Sequence, residues 1–291
     1  MLTKSVLRVV IMPACFSSHL HHYHRYNHSL INRHSIRQLE YIAATLSTPS
    51  SRSFRTIQHL SAPKKDNSLT AAKRGGVKPV AKYTVKTLNP FSLIISDGSV
   101  VTFSYPPNPS KSTIVNAANE QCLGGGGVDG AISAAGGANL FRDREKLPLV
   151  SGGNGSGDKV RCPVGGAVVT GPGEYGTLRV PYVIHAVGPN YFLYRGKETE
   201  GDSLLASAYR ESLKRAHELG LEAVAFSLLS SGIFRGEVKT KEDVLRVGVR
   251  AIRDFEGFSE LKEVHLCAFS RDEIDALMKI VKEEELEKTT E

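Results

Sequence analysis

From residue 81 onward the chain alternates short, β-branched apolar runs with longer segments in which apolar and polar residues mix. Apolar runs of four to seven residues, continuous or alternating, predict strands over 83–88, 93–96, 100–103, 113–117, 167–170, 182–187, 223–228 and 263–269. Amphipathic segments predict helices over 130–135, 202–219, 241–255 and 272–286. Thr240 with Asp243 three residues on has the form of a capping box opening the third helix, and Gly220 stands where a C′ glycine closes the second. Strands alternating with helices predict an α/β layered domain built on a largely parallel sheet. No internal repeat is visible.

Residues before this pattern behave differently. Over 1–80 there is no sustained periodicity, and Ser, Arg and His are abundant. This segment carries 12 of the 37 Lys/Arg residues but only two of the 30 acids, Glu40 and Asp66, so the net charge of +7 belongs to the N-terminus. From residue 81 the balance is mildly acidic, which argues against a basic nucleic-acid face on the folded part. An Arg- and Ser-rich, acid-poor start predicts an organellar transit peptide, mitochondrial or plastid, followed by a linker. The alternative is a disordered tail with no address, on a protein of the cytoplasm or nucleus. The expected organisation is thus a disordered extension over 1–80 and one domain over 81–291.

Composition excludes several classes. No apolar run approaches the ~18 residues of a membrane helix. The four cysteines, Cys15, Cys122, Cys162 and Cys267, include no CxxC pair, so neither a zinc site nor a disulfide framework is expected. The tract HLHHYHRYNH is read as polar sequence rather than a metal site. No cofactor and no metal is expected.

The chemistry concentrates in three glycine-bearing segments that each follow a predicted strand. The first runs IVNAANEQCLGGGGVDGAI, with four glycines, Gly124 to Gly127, and Asp129 just behind them. Glycine lets a ligand approach main-chain N–H groups closely, and the helix starting there offers further N–H groups to an anion. The second is SSGIFRG, from Ser230, and the third is VTGPGEYG, from Val169. Two anion cradles on one sheet edge suit a diphosphate or nucleotide. Neither is a Walker A loop, since no GKS or GKT follows, so ordinary ATP enzymes are not favoured. Asp129 is the only acid in the glycine loop. It sits at a helix start, where the dipole favours a carboxylate, and could accept a proton from an attacking water. Asn119 can donate to and accept from a sugar hydroxyl at once. Asn116 reads as a buried amide that pins a loop, and His185 as a satisfied core histidine. Cys122 and Cys162 read as packing residues, with no base beside either.

Together IVNAAN, GGGGVDGAI, CPVGGAVVT, YVIHAVGP and SSGIF resemble the macrodomain family, most of all its MacroD-type members, over about 93–281. The resemblance implies a three-layer α/β/α sandwich with a mixed, largely parallel central sheet. It implies ADP-ribose or an ADP-ribosylated protein as partner and leaves ADP-ribosylated nucleic acid open; no membrane partner is expected, since no apolar run is long enough, and a monomer is the default expectation. By the same resemblance Asp97 accepts from the adenine amino group and Phe269 stacks on the adenine. Gly125, Gly126, Gly127 and Val128 line the distal ribose and phosphate. Ser230, Ser231, Gly232, Ile233 and Phe234 wrap the diphosphate, with Phe234 over the distal ribose. Asn119 and Asp129 are the implied catalytic pair. Asn119 holds the distal ribose and Asp129 orients the attacking water.

The implied activity is hydrolysis of mono-ADP-ribosyl groups from acidic side chains, or deacetylation of O-acetyl-ADP-ribose. A non-catalytic ADP-ribose reader and an ADP-ribose 1″-phosphate phosphatase are the alternatives. The chain departs from the MacroD pattern at Ser133, where those members carry a His, and at Arg235 to Glu237 after the third motif. Arg235 is a candidate charge beside the ligand or a solvated loop residue. An insert over 150–160 is expected to be a mobile surface loop.

Overall fold

The computed structural model describes residues 76–150 and 159–289. Eight strands form one sheet in the order β4-β5-β3-β6-β7-β2-β1-β8. They are β1 (Lys78–Val85), β2 (Phe91–Asp97), β3 (Ser112–Ala117), β4 (Ala167–Thr170), β5 (Tyr182–Ala186), β6 (Ala223–Phe226), β7 (Glu263–Ala268) and β8 (Glu287–Lys288). The five strands β5, β3, β6, β7 and β2 are parallel, while β4, β1 and β8 join antiparallel at the two sides. Four α-helices complete the domain: α1 (Gly127–Glu145), α2 (Glu198–Glu218), α3 (Lys241–Arg253) and α4 (Arg271–Glu283).

The layers follow from side-chain alternation along the strands. Val115, Ile184, Val224, Phe226 and Leu266 face a core with Leu205, Tyr209, Val249 and Ile280 of α2, α3 and α4. Ile114, Val183, Ala223, Ala225 and Cys267 face the opposite core, which holds Ile132 and Leu140 of α1 with Phe103, Tyr105 and Tyr175. Helices thus cover both faces, which gives the three-layer α/β/α sandwich with a mixed, mainly parallel sheet. The central strands are buried on both sides, which is why they read as continuous apolar runs.

Several elements differ from expectation. The strand expected at 100–103 is a 3-10 turn, Val100–Thr102, because Gly98 turns the chain at φ 136° and the Ser99 hydroxyl caps the Val101 N–H. Its apolar residues Val100 and Phe103 are buried by packing down onto the sheet rather than by pairing in it. β1 begins at Lys78, so the boundary expected at residue 80 falls inside a strand, and Leu88, expected in that strand, is exposed beyond its end. The helix expected over 130–135 runs to Glu145 with a break at Gly137 (φ 60°, ψ −156°). α4 stops at Glu283, and two exposed residues then pair with β1 as β8, too short a strand to leave a pattern. The capping box is formed: Thr240 Oγ1 accepts from Asp243 N and Asp243 Oδ2 accepts from Thr240 N, both at 3.1 Å. Gly220 ends α2 at φ 58°. The expected extension up to residue 75 and most of the glycine-rich insert lie outside the described residues.

Candidate functional site

All five parallel strands point their C-terminal ends to one edge of the sheet, the position at which loops bind ligands in open α/β folds. Asp97 closes β2 and is exposed there. Phe269 follows β7 and is 41% exposed. Asp97 pairs in register with Ala268, so the two residues are neighbours at one end of the edge. The glycine loop follows β3 and the Ser230 loop follows β6. From β2 to β3 is three inter-strand steps of about 4.8 Å, roughly 14 Å, enough for an extended dinucleotide-sized ligand.

The glycine loop is shaped by its own polar groups. Asn119 Nδ2 donates to the Gly124 carbonyl at 2.9 Å, and Asn119 Oδ1 accepts from the Cys122 N–H at 3.1 Å. Asn119 therefore closes the loop with its amide and keeps its side chain half-buried at the loop mouth. Gly125, Gly126 and Gly127 are exposed and Val128 is half-buried. Gly126 is the N-cap of α1 with no side-chain cap, so the first N–H groups of the helix face the loop. A methyl group at Gly125 would lie 3.1 Å from Asp129 Oδ2 and 3.4 Å from Asn119 Nδ2. That spacing brings the two implied catalytic side chains to either side of one glycine, and only glycine leaves room between them.

Asp129 is the floor of this loop, at 3% exposure. Its Oδ1 accepts from Asn116 Nδ2 at 2.9 Å and pairs with Arg144 Nη1 at 3.1 Å. Its Oδ2 is buried without a partner among the described residues. Asn116, from β3, also lies 3.2 Å from His185 Nδ1, and His185 Nε2 lies 3.0 Å from Thr170 Oγ1. Because the Asn116 amide nitrogen can only donate, His185 Nδ1 must accept, which assigns the imidazole proton to Nε2 and directs it to Thr170. Complete burial, and secondarily the Arg144 charge, hold the His185 imidazolium well below its ordinary pKa. It is a neutral, satisfied core histidine that fixes Asn116, which in turn fixes Asp129.

The Ser230 loop presents main chain rather than hydroxyls. Ser230 Oγ donates to the Pro189 carbonyl at 2.9 Å and Ser231 Oγ to the Leu228 carbonyl at 2.8 Å, and both residues are buried. Ser230 holds φ 55°, a strained value for a residue with a side chain, of the kind that clusters at ligand sites. A 3-10 turn, Ile233–Arg235, follows Gly232 and leaves the Ile233 and Phe234 N–H groups without an intrahelical acceptor. Gly232 and Ile233 are exposed and Phe234 is half-buried. Arg235 turns away, donating from Nη1 to the Lys239 carbonyl at 2.7 Å.

Among the described residues the cysteines, Cys122, Cys162 and Cys267, are free and buried. The neighbouring Cys162 thiol, then burial, push the Cys122 thiol far above its usual range, and burial pushes Cys267 up to about 12, so neither Cys122 nor Cys267 is an activated nucleophile. The third glycine segment, from Val169, does not join this edge: it leaves β4 towards the N-terminal end of β5. There Gly173, Glu174, Tyr175 and Gly176 line an open cleft with Pro109 and Arg179. Arg144 and Ser133 are the site residues whose role the sequence concealed. Arg144 lies nine residues beyond the helix expected over 130–135, and nothing local shows that it returns to Asp129.

The sequence profile of the Macro domain matches residues 115–245. A Macro domain-containing protein of Caldanaerobacter subterraneus, TTE0995, is 41% identical over 170 residues, which cover 58% of this chain and 87% of that protein. Another from Listeria monocytogenes, lmo2759, is 34% identical over 171 residues, 59% of this chain and 89% of that one. Among solved structures, an Oceanobacillus iheyensis macrodomain with ADP shares the fold at TM-score 0.55 and 24% identity, covering 70% of this chain and 96% of that one. A Trypanosoma brucei macrodomain in complex with ADP-ribose gives TM-score 0.50 at 27% identity, covering 65% and 68%. The fold, the glycine loop and these relatives agree: the chain belongs to the macro domain family.

Proposed function

We propose that this macro domain protein is a MacroD-type hydrolase. It binds ADP-ribose along the C-terminal edge of the sheet and releases it from acidic side chains, or removes the acetyl group from O-acetyl-ADP-ribose. The observation that carries the reading is the Asp129 carboxylate. One oxygen is held by Asn116 and Arg144, and the other lies buried against Gly125 with no partner among the described residues. That is the arrangement a general base needs: a fixed carboxylate with one lone pair left for water. Water would form a bond to the ribose anomeric carbon or to the acyl carbon as the ester C–O bond breaks. Asp129 would take the water's proton in either case: attack on the anomeric carbon expels the side-chain carboxylate, while attack on the acyl carbon expels the ribose oxygen, which picks up a proton, and leaves the acyl group as the free carboxylate. A positioned base of this kind contributes about 10²–10⁴-fold.

Complexes of other macrodomains with ADP-ribose support the ligand. On that reading Asp97 and Phe269 take the adenine, and the Ile233 and Phe234 N–H groups take the diphosphate. The glycine loop and Asn119 take the distal ribose.

A second reading, a non-catalytic ADP-ribose reader, is favoured by one feature: Asp129 is buried and ion-paired, a geometry that weakens a base. The deciding experiment follows release of ADP-ribose from an aspartate- or glutamate-linked mono-ADP-ribosylated protein. Wild type is run beside Asp129→Ala and Asn119→Ala, with ADP-ribose affinity measured on each. Multiple turnover in wild type, lost in Asp129→Ala with binding kept, is the expected result. Tight binding with no release from ester, serine-linked or acetylated substrates would make the protein a reader.

A further inference from the structure

We propose that Arg144 is the positioning residue of the Asp129 carboxylate, clamping Oδ1 so that Oδ2 alone faces the glycine loop. This deepens the hydrolase reading and rests on it. Three hydrogen bonds define the clamp. Arg144 Nη1 reaches Asp129 Oδ1 at 3.1 Å and donates to Ser133 Oγ at 2.8 Å, while Ser133 Oγ donates to the Asp129 main-chain carbonyl at 2.7 Å. Ser133 thereby ties the guanidinium to the backbone of the residue it orients. A side chain with no acceptor oxygen of this size at 133 would leave Arg144 held by Asp129 alone.

The arrangement is poorly explained by stability. The Arg144 side chain is 1% exposed and that of Asp129 4%. Arg144 Nε and Nη2 have no partner among the described residues. Buried donors left unpaired are costly, and buried ion pairs can often be replaced by apolar residues without loss. The fold also makes a special provision for the contact. Residues 129 and 144 would stand about 22 Å apart on a straight helix. The glycine-only conformation at Gly137 breaks α1 and brings its second half back. What the clamp does supply is a carboxylate with a single available oxygen. A base must be held within a few tenths of an ångström of its working position to contribute fully.

The test is a kinetic double-mutant cycle on the ADP-ribose release reaction, with Arg144→Met, Asp129→Ala and the double variant, and with Arg144→Lys and Ser133→Ala alongside. For each, kcat, KM, ADP-ribose affinity and Tm are measured. Arg144→Met should lower kcat by about 100-fold while ADP-ribose affinity stays within about threefold. Arg144→Lys should recover part of the loss. In the Asp129→Ala background Arg144→Met should change kcat no further, because Arg144 acts only through Asp129. Multiplying losses, or a folded Arg144→Met variant with unchanged kcat, would overturn the proposal. If Arg144→Met does not fold, Ser133→Ala and Arg144→Lys carry the test: a kcat loss at constant affinity supports it, and unchanged kcat overturns it. A wild type that binds ADP-ribose but turns over no linkage ends the hydrolase reading, and this proposal with it. That result is distinct from an active wild type indifferent to Arg144.

Discussion

The guanidinium of Arg144 lies 3.1 Å from the carboxylate of Asp129, although the two residues begin and end the same helix. The contact exists because α1 is broken at Gly137, and it puts a buried positive charge directly beneath the candidate active site. Around it, Asn116, His185, Thr170 and Ser133 form one connected polar network inside an otherwise apolar domain. Asn116 Oδ1, Asp129 Oδ2 and Arg144 Nε and Nη2 have no partner among the described residues, so the network is only partly satisfied, and removing a further partner within it should be felt in both stability and site geometry.

Gly137→Ala should cost about 1–3 kcal/mol, because φ 60° with ψ −156° is essentially reserved to glycine. Nothing lies within 4 Å of a methyl group placed there, so the loss is conformational and not a clash. Urea denaturation checks it. A variant within about 0.5 kcal/mol of wild type would show that the break is not needed.

Gly130→Ala separates helix propensity from site shape. Alanine would favour the helix by about 1 kcal/mol. Its Cβ, however, would stand 2.8 Å from the Gly125 carbonyl oxygen, a backbone atom that must then move. Stability should change little, while ADP-ribose affinity, read by calorimetry, should fall about tenfold or more. Unchanged affinity would detach the glycine loop from ligand binding.

Acid should destabilise the fold through His185. Its folded pKa lies well below 6.5, chiefly through burial. Below pH 6.5 the unfolded chain therefore binds a proton that the folded chain refuses. The stability is complete above that pH and is lost as pH falls below it, by up to about 1.4 kcal/mol per unit. His185→Gln should flatten the slope between pH 6.5 and 5 in denaturation midpoints. An unaltered slope would mean that the imidazole titrates freely in the native state.

A second acid-sensitive element is Glu284, past the end of α4. Arg250 foremost, with Arg246 and Arg253, lowers its pKa to about 2, and its side chain is 7% exposed. A depressed carboxylate contributes stability above its ordinary pKa of 4.5 that is lost as pH falls towards 2. Glu284→Gln should cost about 2 kcal/mol at pH 7 and remove that part of the acid transition. Equal stability of variant and wild type at pH 7 would show that the three arginines pair as well without it.

Local rules carried much of the architecture. A run such as AVAF is apolar throughout because its strand is covered on both faces, and that pattern is visible without a structure. Thr240 with Asp243, and Gly220, mark helix ends through bonds to their own backbone, so three or four residues suffice to read them. The glycine loop was legible for the same reason: the demand for main-chain access is written into Gly124 to Gly127 directly. What tertiary structure alone decided involves residues whose partners are distant in sequence. Val100 and Phe103 have the composition of a strand but fold as a turn, because the Ser99 cap and the far core outweigh β propensity. Arg144 reaches Asp129 only through a backbone angle at Gly137 that glycine permits but does not announce. The two serines of SSGIF spend their hydroxyls on Pro189 and Leu228, so that loop meets a ligand with its backbone. Short-range hydrogen bonding and hydrophobic period are properties of a segment. Which charge lies buried under which loop is set by how the segments pack.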